Sequence, residues 1–373
     1  MNFMFSVPSR VTYGRGCSGS VGTVLKNYGV EKALLVYDRG IAQAGLVEPV
    51  RQSMIQAGVS VVDFDEVEPN PTDRTITKGA ELARSAQVQG IVALGGGSAM
   101  DCAKGINVLQ TNPGPISRYE GGDQVEKKGL LLICIPTTAG TSSEITAVSI
   151  ITDTQNERKY IMAGRNVGAD LALVDPAMMD KLPAKVTAAT GIDALTHAIE
   201  SYVSLGANPL TEALSLKAAG ILAQNLPKAV HNPEDTQARD QMALGCVIVG
   251  CAFSNAGLGL VHAISHTLSA HFGLAHGVAC GVTLPYVIAY NYPAAREKYD
   301  ALAQAVAPGT DKTLSQLILE LEQDLGMPTL KECGVPEDRL AFLAQETMKE
   351  EFETNPNREI NPEVVLKLLQ QAY

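Results

Sequence analysis

The pattern of hydrophobic and polar positions divides the chain into two parts of different character. In the first part, short apolar runs alternate with stretches of helical periodicity. Such alternation is typical of parallel strands covered by helices on both faces. The runs that predict strands are residues 32–38, 59–64, 90–94, 130–135, 147–153, 159–163 and 171–174.

After Asp175-Pro176 the periodicity becomes helical and continues to the last residue. Pro residues that follow Asn, or that stand at the start of a periodic stretch, indicate where helices begin. These signals are Asn208-Pro209, Asn232-Pro233, Pro293 and Asn361-Pro362. The sequence therefore predicts an α/β domain over residues 1–182 and an all-α domain over residues 183–373. A length of 373 residues, long for one core, agrees with two domains.

Composition narrows the classes of partner. The formal net charge is -11 and no basic run occurs, which argues against binding of nucleic acid. The most apolar window, residues 243–260, contains polar residues and glycines, so it predicts a buried helix and no membrane span. The seven scattered cysteines form no CxxC pair, and residues 1–10 show no signal-peptide pattern. We expect a cytoplasmic protein without a disulfide framework.

A glycine-rich loop, Gly95-Gly96-Gly97-Ser98, directly follows the strand predicted at residues 90–94 and precedes a predicted helix. Glycines let the backbone approach a ligand closely, and a helix N-terminus offers unpaired N–H groups to a phosphate. The loop matches neither GxGxxG nor the P-loop pattern. It is either an anion site or a tight strand–helix turn.

Two further features of the first part suit a nucleotide. Asp38 ends the first strand and can accept hydrogen bonds from ribose hydroxyls, although a strand-end Asp is also a common helix cap. It stands 57 positions before Gly95, the reverse of the order in a simple Rossmann unit. The loop at residues 136–144 is rich in hydroxyl groups, which suits phosphate or ribose but is also ordinary loop composition.

All six histidines lie between positions 197 and 276. Asp193 and His197 are four residues apart on a predicted helix, as are His262 and His266, so each pair shares one helix face. With His276, these residues make a metal site with nitrogen and oxygen ligands plausible. The alternatives are a surface ion pair, an internal hydrogen bond or histidines satisfied in the core.

Taken together, these motifs resemble the iron-containing (group III) alcohol dehydrogenases, including lactaldehyde/1,2-propanediol and 1,3-propanediol oxidoreductases. The resemblance covers nearly the whole chain. It implies an N-terminal dinucleotide-binding domain and a helical domain like that of dehydroquinate synthase, with a metal in the cleft between them. Its motifs are Gly95–Ser98 with Asp101 and Lys104, residues 136–141, residues 191–200, and residues 257–266 followed by His276-Gly277.

The resemblance also implies which residues act. The metal ligands would be Asp193, His197, His262 and His276, and His266 would be a further active-site histidine. The residues that bind the cofactor would be Asp38, Asn70, Gly96, Gly97, Ser98, Asp101, Thr137, Thr138, Thr141, Thr146 and Lys159.

The activity implied is hydride transfer between a short-chain primary alcohol or diol, or its aldehyde, and NAD, with NADP disfavoured by the charge of Asp38. Fe(II) is the expected metal, and Zn(II), Ni(II) and Mn(II) suit the same ligands. The metal would act as a Lewis acid, while His266 either relays a proton or shapes the pocket. The chain is expected to form a homo-oligomer. Alternatives on the same fold are a glycerol dehydrogenase, a dehydroquinate synthase-like lyase or a non-catalytic homologue.

Overall fold

The computed structural model describes residues 2–156, 158–350, 352–356 and 359–373. The chain divides into two compact units. The first, here called the α/β unit, comprises Val7–Thr138 and Ser142–Lys181. The second, the helical unit, comprises Met1–Ser6, Ala139–Thr141 and Leu182–Tyr373.

The strands of the α/β unit form two sheets. In chain order they are β1 (Arg10–Tyr13), β2 (Lys32–Val36), β3 (Ser60–Phe64), β4 (Gly90–Gly95), β5 (Gly121–Gly122), β6 (Leu131–Pro136), β7 (Val148–Asp153), β8 (Arg158–Ala163) and β9 (Leu171–Val174). The larger sheet is parallel throughout and has the order β1-β9-β6-β4-β2-β3. In the smaller sheet, β8 lies between β5 and β7, and β7 pairs with β8 in the antiparallel sense.

Helices cover both faces of the larger sheet because neighbouring strand residues point to opposite sides. Leu34 and Ile91 pack in one buried cluster with the helices Asp73–Ser85 and Gly97–Thr111, whereas Leu35 and Val92 pack in another with the helices Val21–Asn27 and Val47–Gln56. The helices of the unit are α1 (Val21–Asn27), α2 (Arg39–Gln43), α3 (Val47–Gln56), α4 (Asp73–Ser85) and α5 (Gly97–Thr111), with 3-10 turns at Cys17–Ser20, Ile116–Tyr119 and Pro176–Met179.

The strand order places the loop that follows β2 beside the loop that follows β4. β2 pairs with β3 on one side and with β4 on the other, in register from Ala33 opposite Gly90 to Val36 opposite Ala93. The chain therefore changes its winding direction between β2 and β4. In open parallel sheets, ligands bind beyond the carboxyl ends of the strands at such a point.

The helical unit continues with α6 (Ala184–Val203), α7 (Pro209–His231), α8 (Thr236–Ala256), α9 (Leu260–Phe272), α10 (His276–Gly281), α11 (Leu284–Asn291), α12 (Arg296–Val306), α13 (Leu314–Asp324), α14 (Leu340–Thr347) and α15 (Pro362–Gln371). Short 3-10 turns occur at Tyr292–Ala294 and Glu337–Arg339. No strand occurs among the described residues of this unit. The predicted fold class, an α/β part followed by a helical part, is confirmed.

All seven predicted strands occur, but the expectation of parallel strands was wrong for the pairing of two of them. β7 and β8 pair antiparallel in the smaller sheet, because an apolar run does not indicate which partner a strand will find. β1 was not predicted. It is an edge strand whose four residues are all exposed, so it shows no buried pattern.

The predicted helix starts at Asn208-Pro209 and Asn361-Pro362 are confirmed, with each Asn capping its helix. The start at Asn232-Pro233 was wrong. Helix α8 begins at Thr236, where the side chain of Asp235 accepts from the N–H of Ala238. Pro293 lies in a 3-10 turn just before α12.

The apolar window at residues 243–260 contains a helix break and is not one continuous helix, because α8 ends at Ala256 and α9 begins at Leu260. Among the described residues, no single helix has the length and apolar character of a membrane span. Only α8 and α9 taken together meet that test, and they are bent by 101°.

Candidate functional site

In the helical unit, three imidazole nitrogens surround one carboxylate oxygen. Oδ1 of Asp193 lies 3.7 Å from Nε2 of His197 and 3.6 Å from Nε2 of both His262 and His276. Two ligands of a tetrahedral metal, each bonded at 2.0–2.2 Å, are about 3.4 Å apart. The imidazole nitrogen of each histidine that the resemblance implies as a ligand thus lies near this spacing from the Asp193 carboxylate oxygen.

Three helices supply these groups. Asp193 and His197 come from successive turns of the buried helix α6, His262 from the first turn of α9, and His276 from the first residue of α10. The side chains of Asp193, His197 and His262 are only 4–6% exposed, while that of His276 is 35% exposed. The cluster is therefore closed on most sides and reachable beside His276.

Glu200 fixes the orientation of His262. Its carboxylate accepts from the N–H groups of Gly259 and Val261 at the start of α9 and lies 2.6 Å from Nδ1 of His262. A carboxylate on Nδ1 leaves Nε2 as the ligand atom and raises the basicity of the ring. Sequence reasoning missed this role of Glu200. It lies seven residues after Asp193, hence on the same helix face, which was the available signal.

The other two rings are held by packing. His197 stacks between Phe253, at a centroid distance of 4.2 Å, and His262, at 4.6 Å. Nδ1 of His276 lies 3.4 Å from the hydroxyl of Ser265, so its Nε2 faces the cluster. These contacts set the ring planes before any ligand binds.

A close backbone approach sets the position of His276. A Cβ on the next residue, Gly277, would lie 1.9 Å from the carbonyl oxygen of Ala189 on α6. Only glycine allows α10 to lie this close to the helix that carries Asp193.

Burial controls protonation in the cluster. It lowers the pKa of His197 to about 4 and that of His276 to about 3, so both rings are neutral near pH 7 and offer a lone pair to a metal. Burial alone would raise the pKa of Asp193, but the surrounding imidazoles outweigh it and lower that pKa. Burial alone would lower the pKa of His262. Cys280, Asp193 and the Glu200 carboxylate outweigh burial and raise that pKa well above its usual value.

His266 and His271 have other partners. Nδ1 of His266 lies 3.3 Å from Glu350, and its ring stacks on His276 at 5.4 Å. His271 lies edge-on to Phe342. His266 is thus one turn beyond His262 and beside the cluster.

Cys280 is a residue that sequence reasoning did not select. Its sulfur lies 3.8 Å from Oδ1 of Asp193, and ligand atoms of Asp193, His262, His276 and Cys280 all lie within 4.8 Å of one another. The available signal was its position four residues after His276.

In the α/β unit, the glycine loop and Asp38 meet beyond β4 and β2. A Cβ on Gly95, whose φ is +154°, would lie 2.7 Å from Cβ of Ala99 and 3.8 Å from Oδ2 of Asp38. Gly96 is the N-cap of α5 and Gly97 its first residue, and no side chain caps this helix. The N–H groups of the first turn are thus available to an anion.

Asp38 also has the structural role left open by its sequence position. Its Oδ1 accepts from the N–H of Ile41, which makes it the N-cap of α2. The second oxygen lies near the glycine loop, so capping and ribose binding are compatible.

Three more of the implied cofactor residues lie together. The N–H of Asn70 donates to the hydroxyl of Ser98, and its Oδ1 accepts from Nζ of Lys159 at 2.8 Å. Asn70 has a left-handed φ of 57°, which Asn tolerates better than most residues. The two hydrogen bonds of Asn70 thus bring residues 70, 98 and 159 together.

The hydroxyl loop is divided between the two units. Thr137 donates its N–H to the carbonyl of Gly95, and the hydroxyl of Thr138 faces Gly96, 3.4 Å from the position of an added Cβ. Thr141 belongs to the helical unit and is not grouped with them.

Asp101 and Thr146 are engaged in a buried network around Lys104. Asp101 accepts from the hydroxyl of Ser143 and the N–H of Ile150, and Nζ of Lys104 lies 3.4 Å from the hydroxyl of Thr146. These contacts connect α5 to the loop and to β7. Asp101 and Thr146 therefore help to hold the hydroxyl-rich loop in place.

Comparisons with known proteins cover both units. Residues 8–176 match the family described as iron-containing alcohol dehydrogenase, and residues 187–373 match the Fe-containing alcohol dehydrogenase family, C-terminal. The chain is 38% identical over 355 residues to the NAD-dependent methanol dehydrogenase of Bacillus methanolicus, with 93% of each chain covered.

Two solved structures extend the comparison to the fold. A 1,3-propanediol oxidoreductase is 34% identical, with a TM-score of 0.97 and 100% of both chains covered. A sulfoacetaldehyde reductase from Bifidobacterium kashiwanohense, solved in complex with NAD+, is 29% identical, with a TM-score of 0.91 over 100% of this chain and 99% of that one. The resemblance seen in the sequence motifs is confirmed, and the chain belongs to the iron-containing alcohol dehydrogenase family.

Proposed function

We propose that the protein is a metal-dependent oxidoreductase that interconverts a short-chain primary alcohol or diol and its aldehyde with NAD. The observation that carries this proposal is the convergence of three imidazole nitrogens on Oδ1 of Asp193 at 3.6–3.7 Å. The relatives that act on methanol and on 1,3-propanediol support the substrate class.

In this proposal Asp193, His197, His262 and His276 hold the metal, which is Fe(II) or, with the same ligands, Zn(II), Ni(II) or Mn(II). A divalent ion supplies a Lewis acid for the substrate oxygen, and NAD supplies the hydride acceptor. Two of the imidazoles are neutral near pH 7, so among these four ligands the Asp193 carboxylate is the main counter-charge of the ion.

His266 is proposed as the proton relay. It contacts Glu350, stacks on His276 and keeps 34% of its side chain exposed, so it reaches both the cluster and water. His266→Ala is expected to retain one metal per chain and to lose most of kcat. Loss of the metal would make His266 a ligand instead, and unchanged kcat would remove it from the reaction.

The first domain, residues 1–182, is proposed to bind NAD. Gly96, Gly97 and Ser98 present the first turn of α5 to the pyrophosphate, and Asp38 accepts hydrogen bonds from the adenosine ribose. The second domain, residues 183–373, holds the metal and the substrate. The other proposed cofactor residues are Asn70, Asp101, Thr137, Thr138, Thr141, Thr146 and Lys159.

The proposal also includes a homo-oligomer, for which the helical domain would supply the surface, and a cytoplasmic location, which the scattered cysteines without a CxxC pair favour. Light scattering of the purified protein tests the oligomer, and a mass of one chain would exclude it.

The test of function is a panel of short-chain alcohols, diols and aldehydes with NAD(H) and NADP(H), after anaerobic loading with Fe(II). We expect net formation of NADH from at least one primary alcohol and loss of that activity in Asp193→Asn. A chain that binds no metal, or that turns over a substrate without net NADH, would refute the proposal; the second result would indicate a lyase. Thermal shift with NAD and Fe(II) gives a readout independent of turnover.

A further inference from the structure

The side chain of Cys280 points into the group of metal ligands. Its sulfur lies 3.8 Å from Oδ1 of Asp193, 3.9 Å from Nε2 of His276 and 4.0 Å from Nε2 of His262. A tetrahedral metal with a sulfur ligand at 2.3 Å and a nitrogen ligand at 2.0–2.1 Å separates these two atoms by about 3.6 Å. The observed spacings exceed that value only slightly.

The fold presents Cys280 on the inner side of the cluster. It stands one turn after His276 on α10, so the two side chains share a helix face. Cys280 is completely buried, whereas His276 keeps 35% of its side chain exposed. The sulfur is therefore buried, while part of the His276 ring is exposed.

The neighbours of the sulfur distinguish this cysteine from one that only fills space. A buried thiol usually packs against carbon, as a small hydrophobic group. Cys102, also completely buried and helical, lies in an apolar cluster of the α/β unit. The sulfur of Cys280 instead faces three atoms that can each bind a metal.

We propose that Cys280 is a metal ligand beside Asp193, His262 and His276, the residues whose ligand atoms all lie within 4.8 Å of one another. The inference rests on the metal site of the proposed function. On binding, the S–H bond breaks and a metal–sulfur bond forms, and the proton leaves to solvent without any change in oxidation state.

A sulfur ligand changes the metal that the site prefers. One carboxylate and one thiolate together neutralise a divalent ion, and thiolates favour Zn(II) over Mn(II) more strongly than oxygen or nitrogen ligands do. Such a set remains competent for alcohol chemistry, because a Cys2His zinc site is a known catalytic arrangement for alcohol oxidation.

The first test uses the wild-type chain and the metal alone. X-ray absorption of the protein loaded with one Zn(II) is expected to show a sulfur neighbour at about 2.3 Å beside nitrogen and oxygen neighbours. A first shell of nitrogen and oxygen only would overturn the inference while the proposed function stands. A chain that binds no metal at all would refute both.

The second test compares Cys280→Ala with the control Cys102→Ala, after loading with Co(II). The wild-type chain and the control should show sulfur-to-cobalt charge-transfer absorption in the near ultraviolet, and Cys280→Ala should lack it. Cys280→Ala should also lose at least tenfold in preference for Zn(II) over Mn(II). Charge-transfer absorption that persists in Cys280→Ala, or an unchanged metal preference, would overturn the inference. If Cys280→Ala does not fold, the wild-type absorption spectrum decides alone.

Discussion

The two units build their candidate sites from different materials. In the α/β unit, the groups proposed to bind the cofactor are the backbone and short side chains of loops at the ends of β2 and β4. In the helical unit, the groups are side chains from α6, α9 and α10. Asp193 and His262 there are each 4% exposed, while Asp38 and Asn70 in the other unit are half-buried or exposed.

This difference matters for how each site tolerates change. A backbone cradle offers several N–H groups to one phosphate, so losing one side chain weakens binding by degrees. A buried cluster depends on every ligand and on the groups that orient it, and those partners act together. Substitutions in the helical unit should therefore affect metal binding strongly, and substitutions in the α/β unit should shift cofactor binding gradually.

The strongest test of this contrast is Glu200→Gln, which changes none of the proposed ligand atoms. The carboxylate of Glu200 accepts from Gly259, Val261 and Nδ1 of His262, and a single amide oxygen cannot serve all three. Losing such an outer partner typically weakens metal binding 10–100-fold. Competition with a chelator for Zn(II) measures this loss.

The matched control is Glu322→Gln, another buried glutamate of the helical unit, on α13. It should leave the affinity for Zn(II) unchanged. Equal losses in both variants would assign the effect of Glu200 to the stability of the fold, and no loss in either would remove its orienting role.

The corresponding change in the α/β unit is Asp38→Asn. The amide keeps the oxygen that caps α2 and removes the charge that repels a 2′-phosphate. We expect the ratio of kcat/KM for NADP to that for NAD to rise about tenfold, or about 1.4 kcal/mol in relative free energy. Both constants come from initial rates with a single alcohol.

Asp38→Gly distinguishes the effect of the Asp38 charge on cofactor preference from the effect of losing the cap of α2. Glycine at an N-cap costs only a few tenths of a kcal/mol, so the fold should persist while the side chain is lost. A similar shift of the ratio in both variants assigns it to the charge. A ratio that stays constant in both would place Asp38 away from the ribose and leave it a cap only.

Sequence patterns predicted the elements best where burial is complete. β2 and β4 are almost fully buried, and their apolar runs indicated them within two residues at each end. β1 could not be found this way because all of its residues are exposed, and β5 is only two glycines. The antiparallel pairing of β7 with β8 depends on contacts between the two strands, and the apolar pattern of each strand does not indicate those contacts.

The candidate metal site shows the same limit. Spacing placed Asp193 and His197 on one helix face, but it did not decide which of the later histidines would join them. That choice depends on how α10 meets α6, and the meeting is set by the backbone contact between Gly277 and Ala189. The family resemblance supplied the ligand set that spacing alone left open. Glu200 and Cys280 required the packed structure.

The smallest expected effect concerns a buried carboxylate that has no assigned role. Glu144 lies in the hydroxyl loop of the α/β unit and is 3% exposed. Burial raises its pKa to about 7, although Lys104 acts in the opposite direction. In the helical unit, by contrast, the imidazoles around Asp193 outweigh burial and lower its pKa. The comparison predicts that Glu144 destabilises the fold whenever it is ionised.

The sign of this effect follows from proton linkage. Between about pH 4.5, the ordinary value, and pH 7 the folded chain holds the proton of Glu144 more tightly than the unfolded chain does, so stability falls as pH rises. Glu144→Gln should therefore be more stable than the wild type at pH 8, by on the order of 1 kcal/mol, and nearly equal to it at pH 5. Urea unfolding at the two pH values measures the difference, with the exposed Glu81→Gln as a control that changes little at either. If Glu144→Gln is less stable than the wild type at pH 8, the ionised carboxylate is well accommodated by Lys104, and the contrast with Asp193 fails.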